Sequence, residues 1–134
     1  MKETDFNEKF IEKMREKFPT MWCRKIHGEE MQSNIPDFLF CINGVFVAIE
    51  FKVQRDGRIS SKPMQLRELS EIKNAKGIAL IIAYDENRNK ILMREKRVDY
   101  KKAMSRYIRM DWDFEFNHYE QIIDVIGVMV ENKQ

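Results

Sequence analysis

In the first segment Phe6, Phe10, Ile11, Met14 and Phe18 recur at helical spacing. They predict one amphipathic helix over residues 4–18, with Thr4 as N-cap and Pro19 as the stop. Residues 21–26 read as a first strand, and the polar, aperiodic stretch 28–34 as a surface loop. The period then changes. Residues 37–42 and 45–53 are rich in β-branched and aromatic side chains. Between them Asn43-Gly44 fits a two-residue type I′ turn, whose central residues both need positive φ, so a β-hairpin is predicted.

Beyond the hairpin, residues 55–61 form a polar stretch carrying Gly57 and read as a loop. Met64, Leu66, Leu69 and Ile72 at mixed three- and four-residue spacing predict a helix over 63–74, with Pro63 in its first turn and Gly77 past its end. The continuous apolar run IALIIAY, residues 78–84, is that of a central strand buried on both faces. A charged turn over 85–90 leads to a short strand at 91–93. Residues 98–108 read as a further helix with basic residues between apolar ones, followed by the acidic, aromatic segment DWDFEF. Asn117 and Glu120 resemble a capping box for a last helix over 119–130, apolar enough to dock on the body or on a second subunit. The resulting class is α/β: a mixed central sheet of four or five strands, flanking helices and a C-terminal helical extension.

Composition narrows this picture. A chain of 134 residues, 43% of them hydrophobic, buries one core but has little room for two. A single domain is expected, with its core over 4–93 and the extension over 94–134. The 34% charged residues nearly balance at +2, so any nucleic-acid contact must come from a local patch. No apolar run approaches the roughly 20 residues of a membrane span. The start MKETDFNEKF also lacks a signal peptide's apolar stretch, so a cytoplasmic location without a membrane partner is expected. Cys23 and Cys41 lie in apolar, strand-like runs and are expected as small buried hydrophobes without a disulfide.

The hairpin carries the candidate chemistry. Counting back from Asn43-Gly44 pairs Ile42 with Val45, Leu39 with Ala48 and Asp37 with Glu50. Directly opposed residues share one sheet face, with Cβ atoms about 4.5 to 5.5 Å apart. Lys52, two residues beyond Glu50, lies on that same face. Like charges opposed on a half-buried sheet are destabilising and call for a cation or a proton to offset them. Carboxylates and water suit a hard cation, Mg²⁺ with Mn²⁺ as substitute, rather than zinc. Asp37 and Glu50 then hold the metal, and Lys52 assists on a phosphodiester. The same three residues would also serve as an ordinary ion pair at the solvated end of a hairpin.

Ile35-Pro36-Asp37, a hairpin, and Glu50-Phe51-Lys52 inside an apolar strand resemble the signature of the PD-(D/E)XK nuclease superfamily. More narrowly, IPDFLF followed by IEFKVQRDGRISSKPMQ, with Gln65 opening the next helix, resembles the VRR-NUC branch. These are small nucleases often seen in phages and related to Holliday-junction resolvases. The resemblance spans roughly residues 8–84 and implies a restriction-endonuclease-like core. It implies Asp37, Glu50 and the carbonyl of Phe51 as metal ligands, Lys52 as the catalytic lysine, and Gln65 in support at water or phosphate. It also implies a first-helix glutamate. Glu8, ahead of Ile11 and Met14, is the candidate, and Glu12 the alternative.

Arg55, Arg58 and Lys62 would stand beside the metal and hold DNA backbone; Lys96, Arg97, Lys101, Lys102 and Arg106 form a second basic cluster. Each group is equally an ordinary solvated face. No base-reading motif is present, which favours recognition of backbone or shape over sequence. Cys23 and His27 form an isolated CxxxH, and neither His27 nor His118 completes a zinc site. Trp22 and Trp112 read as packing residues. The function expected is Mg²⁺-dependent hydrolysis of DNA phosphodiesters, selective for branched or junction structures. A homodimer formed through the 119–130 helix would serve where two strands are cut. The alternative is a non-catalytic DNA-binding or interaction module on the same fold.

Overall fold

A computed structural model describes residues 3–26, 35–99 and 107–134. The chain runs α1 (Glu3–Lys17), β1 (Trp22–Lys25), β2 (Phe38–Ile42), β3 (Val45–Gln54) and β4 (Ile59–Ser60). It continues through α2 (Pro63–Asn74), β5 (Ile78–Asp85), β6 (Lys90–Arg94), β7 (Tyr107–Ile108), β8 (Phe114–Phe116) and α3 (Tyr119–Lys133). Among the described residues the main sheet has six strands in the order β1-β2-β3-β5-β6-β8, and β4 pairs with β7 in a separate ribbon. Among the described strands only β3 and β5 pair in parallel, joined by the crossover through α2. None of the described helices is long and apolar enough to cross a membrane.

The β2–β3 register is set by its turn. Asn43 and Gly44 take φ of 51° and 82°, the type I′ conformation, and Ile42 pairs with Val45, Leu39 with Ala48 and Phe38 with Ile49. Because side chains alternate, Val47, Ile49 and Phe51 then face one side and Ala48, Glu50 and Lys52 the other. The first side is covered by α1 and α3, whose Phe6, Phe10, Met14, Ile122, Ile126 and Val130 are buried with Phe40, Phe51, Leu80 and Ile82. Phe10 meets Phe51 edge-on with ring centroids 5.2 Å apart. The second side carries Leu66 and Leu69 of α2 against Ala79, Ile81 and Ala83 of β5. The site strand is thus braced by an aromatic core behind it and a helix in front.

Several expected elements differ. Thr4 lies within α1 rather than capping it. Residues 55–61 are not an open loop: Asp56 and Gly57 take φ of 52° and 77°, and Arg55 bridges Arg58, so β3 turns back into β4. Asp-Gly supplies the same turn chemistry as Asn-Gly. The helix expected over 98–108 is absent from its described part. Residues 98 and 99 are not helical, 100–106 lie outside the described residues, and Tyr107–Ile108 is the strand β7. Ile108, Met110 and Trp112 pack on the α2 side at a spacing of two, the period of extended chain. DWDFEF contributes β8 at the sheet edge. The last helix begins at Tyr119 as read, but its capping box lies one residue later, at His118 and Gln121 rather than Asn117 and Glu120: Gln121 Oε1 accepts the backbone N–H groups of Asn117 and His118, both at 3.0 Å. The apolar face of α3 is buried against α1 and the sheet, so it is not a free face for a second subunit. Cys41 is exposed, not buried. Trp22 is 46% exposed, with the Arg24 guanidinium 5.8 Å from its ring centroid, and is not a packing residue. Trp112 does pack, donating its indole N–H to Gln54 Oε1 at 2.8 Å.

Candidate active site

Asp37 sits just before β2, held at both ends. Its carbonyl accepts the Ile26 N–H at 2.8 Å and its Oδ2 accepts the Phe51 N–H at 3.2 Å. Extending the β2–β3 register by one residue places Asp37 opposite Glu50, and by two places Pro36 opposite Phe51. A residue's N–H and C=O point to the same side of a strand, so the Phe51 carbonyl faces this edge as well. Pro36 has no N–H to offer it. The Pro-Asp pair therefore ends the ladder, leaves a backbone oxygen without a donor from β2, and brings a carboxylate to the same spot.

Glu50 is only 2% exposed, and its Oε2 is buried with no hydrogen-bond partner. Burial first, and then the negative charge of Asp37, push its carboxyl up to about 9, against the pull of Lys52. Lys52 Nζ donates to Gln65 Oε1 at 3.2 Å, and the same oxygen accepts the Lys62 backbone N–H at 3.3 Å. Gln65, in the first turn of α2, thus orients the lysine.

The first-helix carboxylate near this group is Glu3. Burial raises its pKa, as does Asp37, while Lys52, Arg55 and Lys25 lower it; Glu3 in turn helps raise Glu50. Glu3 keeps solvent access, which screens these interactions more than those of Glu50. Glu8, expected as a ligand, lies on the exposed face of α1, as does Glu12. The reason is helical phase. Glu8 is two residues from both Phe6 and Phe10, about 200° around the helix, whereas Glu3 precedes them by three and seven. Anchoring the wheel on the fully buried Phe6, Phe10 and Met14 instead of on Ile11, which is only half-buried, would have picked out Glu3.

Among the described residues no group of three His, Cys, Asp or Glu side chains is close enough to hold a metal ion unaided. The donors gathered are two carboxylates and a backbone carbonyl. They fit a hard, oxygen-preferring cation, and the partnerless buried oxygen of Glu50 is what such an ion would satisfy.

The chain's likeness to a solved structure agrees with this topology. Hjc of Archaeoglobus fulgidus, a Holliday junction resolvase from an archaeal hyperthermophile, matches with a TM-score of 0.56 over 83% of this chain and 84% of that one. The fold is restriction-endonuclease-like. At 12% identity the likeness carries the fold and not the roles of individual residues. No family model matches the sequence, and no curated protein does.

The other sequence candidates separate in space. Arg55 and Arg58 flank the β3–β4 turn, with Arg55 Nε 2.5 Å from Glu86 Oε2. Lys62 is exposed just before α2. Lys96 lies 3.9 Å from Asp113 and its neighbour Arg97 is exposed. Lys101, Lys102, Arg106 and His27 lie outside the described residues. His118 is exposed at the start of α3.

Proposed function

We propose that this chain is a divalent-metal-dependent DNA endonuclease of the PD-(D/E)XK kind, in its VRR-NUC branch, acting on branched DNA. The observation that carries the reading is the meeting of Asp37, a buried and partnerless Glu50 oxygen, and Lys52 on one face of the hairpin. Support comes from the fold shared with a protein described as a Holliday junction resolvase.

Asp37, Glu50 and the Phe51 carbonyl are the residues to hold the ion, Mg²⁺ or Mn²⁺. When bound, it supplies Lewis-acid stabilisation of the charge developing on the phosphodiester. Lys52 presents its ammonium, fixed by Gln65, to a non-bridging phosphoryl oxygen and to the attacking water. The water oxygen forms the new bond to phosphorus, the bond to one sugar oxygen breaks, and that oxygen takes up a proton. Phe51 keeps this edge rigid through its side chain in the aromatic core. Cutting two strands at one branch calls for two sites, so a homodimer is the proposed active species. With the α3 face buried, its contact lies elsewhere, and light scattering at working concentration decides it.

The test is cleavage of labelled branched, duplex and single-stranded DNA with Mg²⁺ or chelator. Lys52→Ala and Asp37→Ala should each lower the rate by about 10²- to 10³-fold, the scale of losing one preorganised electrostatic group. DNA binding by the wild type without cleavage in either Mg²⁺ or Mn²⁺ would instead indicate a non-catalytic module.

A further inference from the structure

The β4–β7 ribbon has two unlike faces. Ile59 and Ile108, opposite each other, point inward to the α2 cluster. The alternate residues point outward, where Arg58, Ser60, Tyr107 and Arg109, together with Val53 and Arg55, line a groove of about 490 Å³. Extending the register by one residue places Arg58 opposite Arg109. Neither has an ion pair among the described residues. The Arg109 guanidinium lies over the β3–β4 turn, where a Cβ on Gly57 would come within 3.1 Å of its Nη1. Asp56 is the one acidic residue of the lining, and its Oδ1 accepts from Asn87 Nδ2 at 3.3 Å.

Two exposed guanidiniums set opposite each other concentrate positive charge at little cost in water, and the same face carries a tyrosine 57% exposed, so the groove offers an anion two charge-assisted donors and an aromatic face beside them. The groove reaches toward the candidate active site through Arg55, whose charge acts on Glu3, while Val53 of its lining points to the opposite face of β3 from Lys52. Its volume lies in the range of roughly 300 to 1,000 Å³ that holds small molecules, suited to one or two nucleotide units and not to a duplex.

We propose that this groove holds the backbone of an unpaired DNA strand next to the cut, with Arg58 and Arg109 on adjacent phosphates and one base stacked on Tyr107. The inference rests on the nuclease reading and deepens it, naming duplex DNA with a single-stranded arm as the substrate class. Stacking on an aromatic ring needs a base free of its pair, and accepts any base, in keeping with a site that has no base-reading motif.

Binding separates this from the chemistry. The whole protein is titrated, with chelator present, against a labelled duplex bearing unpaired thymidine arms and against the same duplex fully paired. Tyr107→Ala should weaken binding of the splayed DNA about tenfold, the scale of one base–aromatic stack, and Tyr107→Phe should restore it. The paired duplex should stay within roughly twofold, because a paired base offers no free face. Arg58→Gln and Arg109→Gln should each reduce the slope of log K against log salt by roughly 0.7, one phosphate contact on a single strand. Equal loss on both DNAs, or loss on neither, overturns the assignment. Selective binding without cleavage in Mg²⁺ would contradict the nuclease reading and leave the groove standing. Cleavage by a protein whose Tyr107→Ala variant binds splayed DNA like the wild type would overturn the groove alone.

Discussion

Strand β3 begins after one type I′ turn and ends in another, and beyond each a pair of like charges is set across two strands. Near the Asn43-Gly44 hairpin it is Asp37 against Glu50, with Glu50 buried. Past Asp56-Gly57 it is Arg58 against Arg109, both exposed. Water screens the arginines, so their repulsion costs little. Glu50 has no such relief, and its carboxyl is driven up to about 9, by burial before any other cause. The same motif of opposed charge therefore calls for a proton or a cation in one place and, on the reading proposed above, would receive phosphate at little cost in the other.

The largest effect should come from neutralising the buried pair. Glu50→Gln should stabilise the metal-free protein by roughly 1 to 3 kcal/mol at pH 8, the scale of a buried polar group's desolvation. The sign follows from linkage. Glu50 binds its proton more tightly folded than unfolded, so its contribution is full below about 4.5 and is lost as pH rises through about 9. Denaturant melts of the metal-free wild type should thus show stability falling across that window, and the variant should flatten the fall. A curve equally steep in the variant would mean that Glu50 is not the titrating group.

Next in size is Gln65→Ala, which frees Lys52 Nζ from its one orienting partner. Cleavage should fall about tenfold in kcat with KM little changed, the mark of a group acting on the transition state. A rise in KM alone would place Gln65 on the DNA instead. Smaller still is the contrast along α1. Glu3→Gln should shift the metal concentration needed for half activity by about three- to tenfold, less than loss of a supporting partner costs at many metal sites. Glu8→Gln should leave it unchanged, and the reverse result would restore Glu8 to the site. Least of all, Arg58→Gln should move stability by no more than about 0.5 kcal/mol, as for an exposed surface substitution. A gain above about 1 kcal/mol would show that the arginine pair is strained like the acidic one.

What the sequence disclosed follows the same division. The Asn43-Gly44 turn fixes register, and register brings Asp37 beside Glu50, so the acidic pair was readable from counting alone. Residues 63–74, with Pro63 first, were likewise legible because the signals for period, start and stop agree. The ribbon was not. Strands of two residues, Ile59–Ser60 and Tyr107–Ile108, carry no measurable period, and they exist because each pairs with the other across the chain. Phe114–Phe116 is an edge strand of the same kind, defined by its partner β6. Glu3 escaped for a different reason: the helix was right, but its phase was read from half-buried Ile11 and not from Phe6 and Phe10.

Whether the Asp37–Glu50 pair is kept for a cation is decided by calorimetric titration of Mg²⁺ into the wild type and Glu50→Gln at pH 7.5. Repeating it in buffers of different ionisation enthalpy counts protons. The wild type should bind with release of close to one proton, because Glu50 must give up its own to take the metal, and the variant should not bind. Binding without proton release, or binding that survives Glu50→Gln unchanged, would contradict a cation role for the pair.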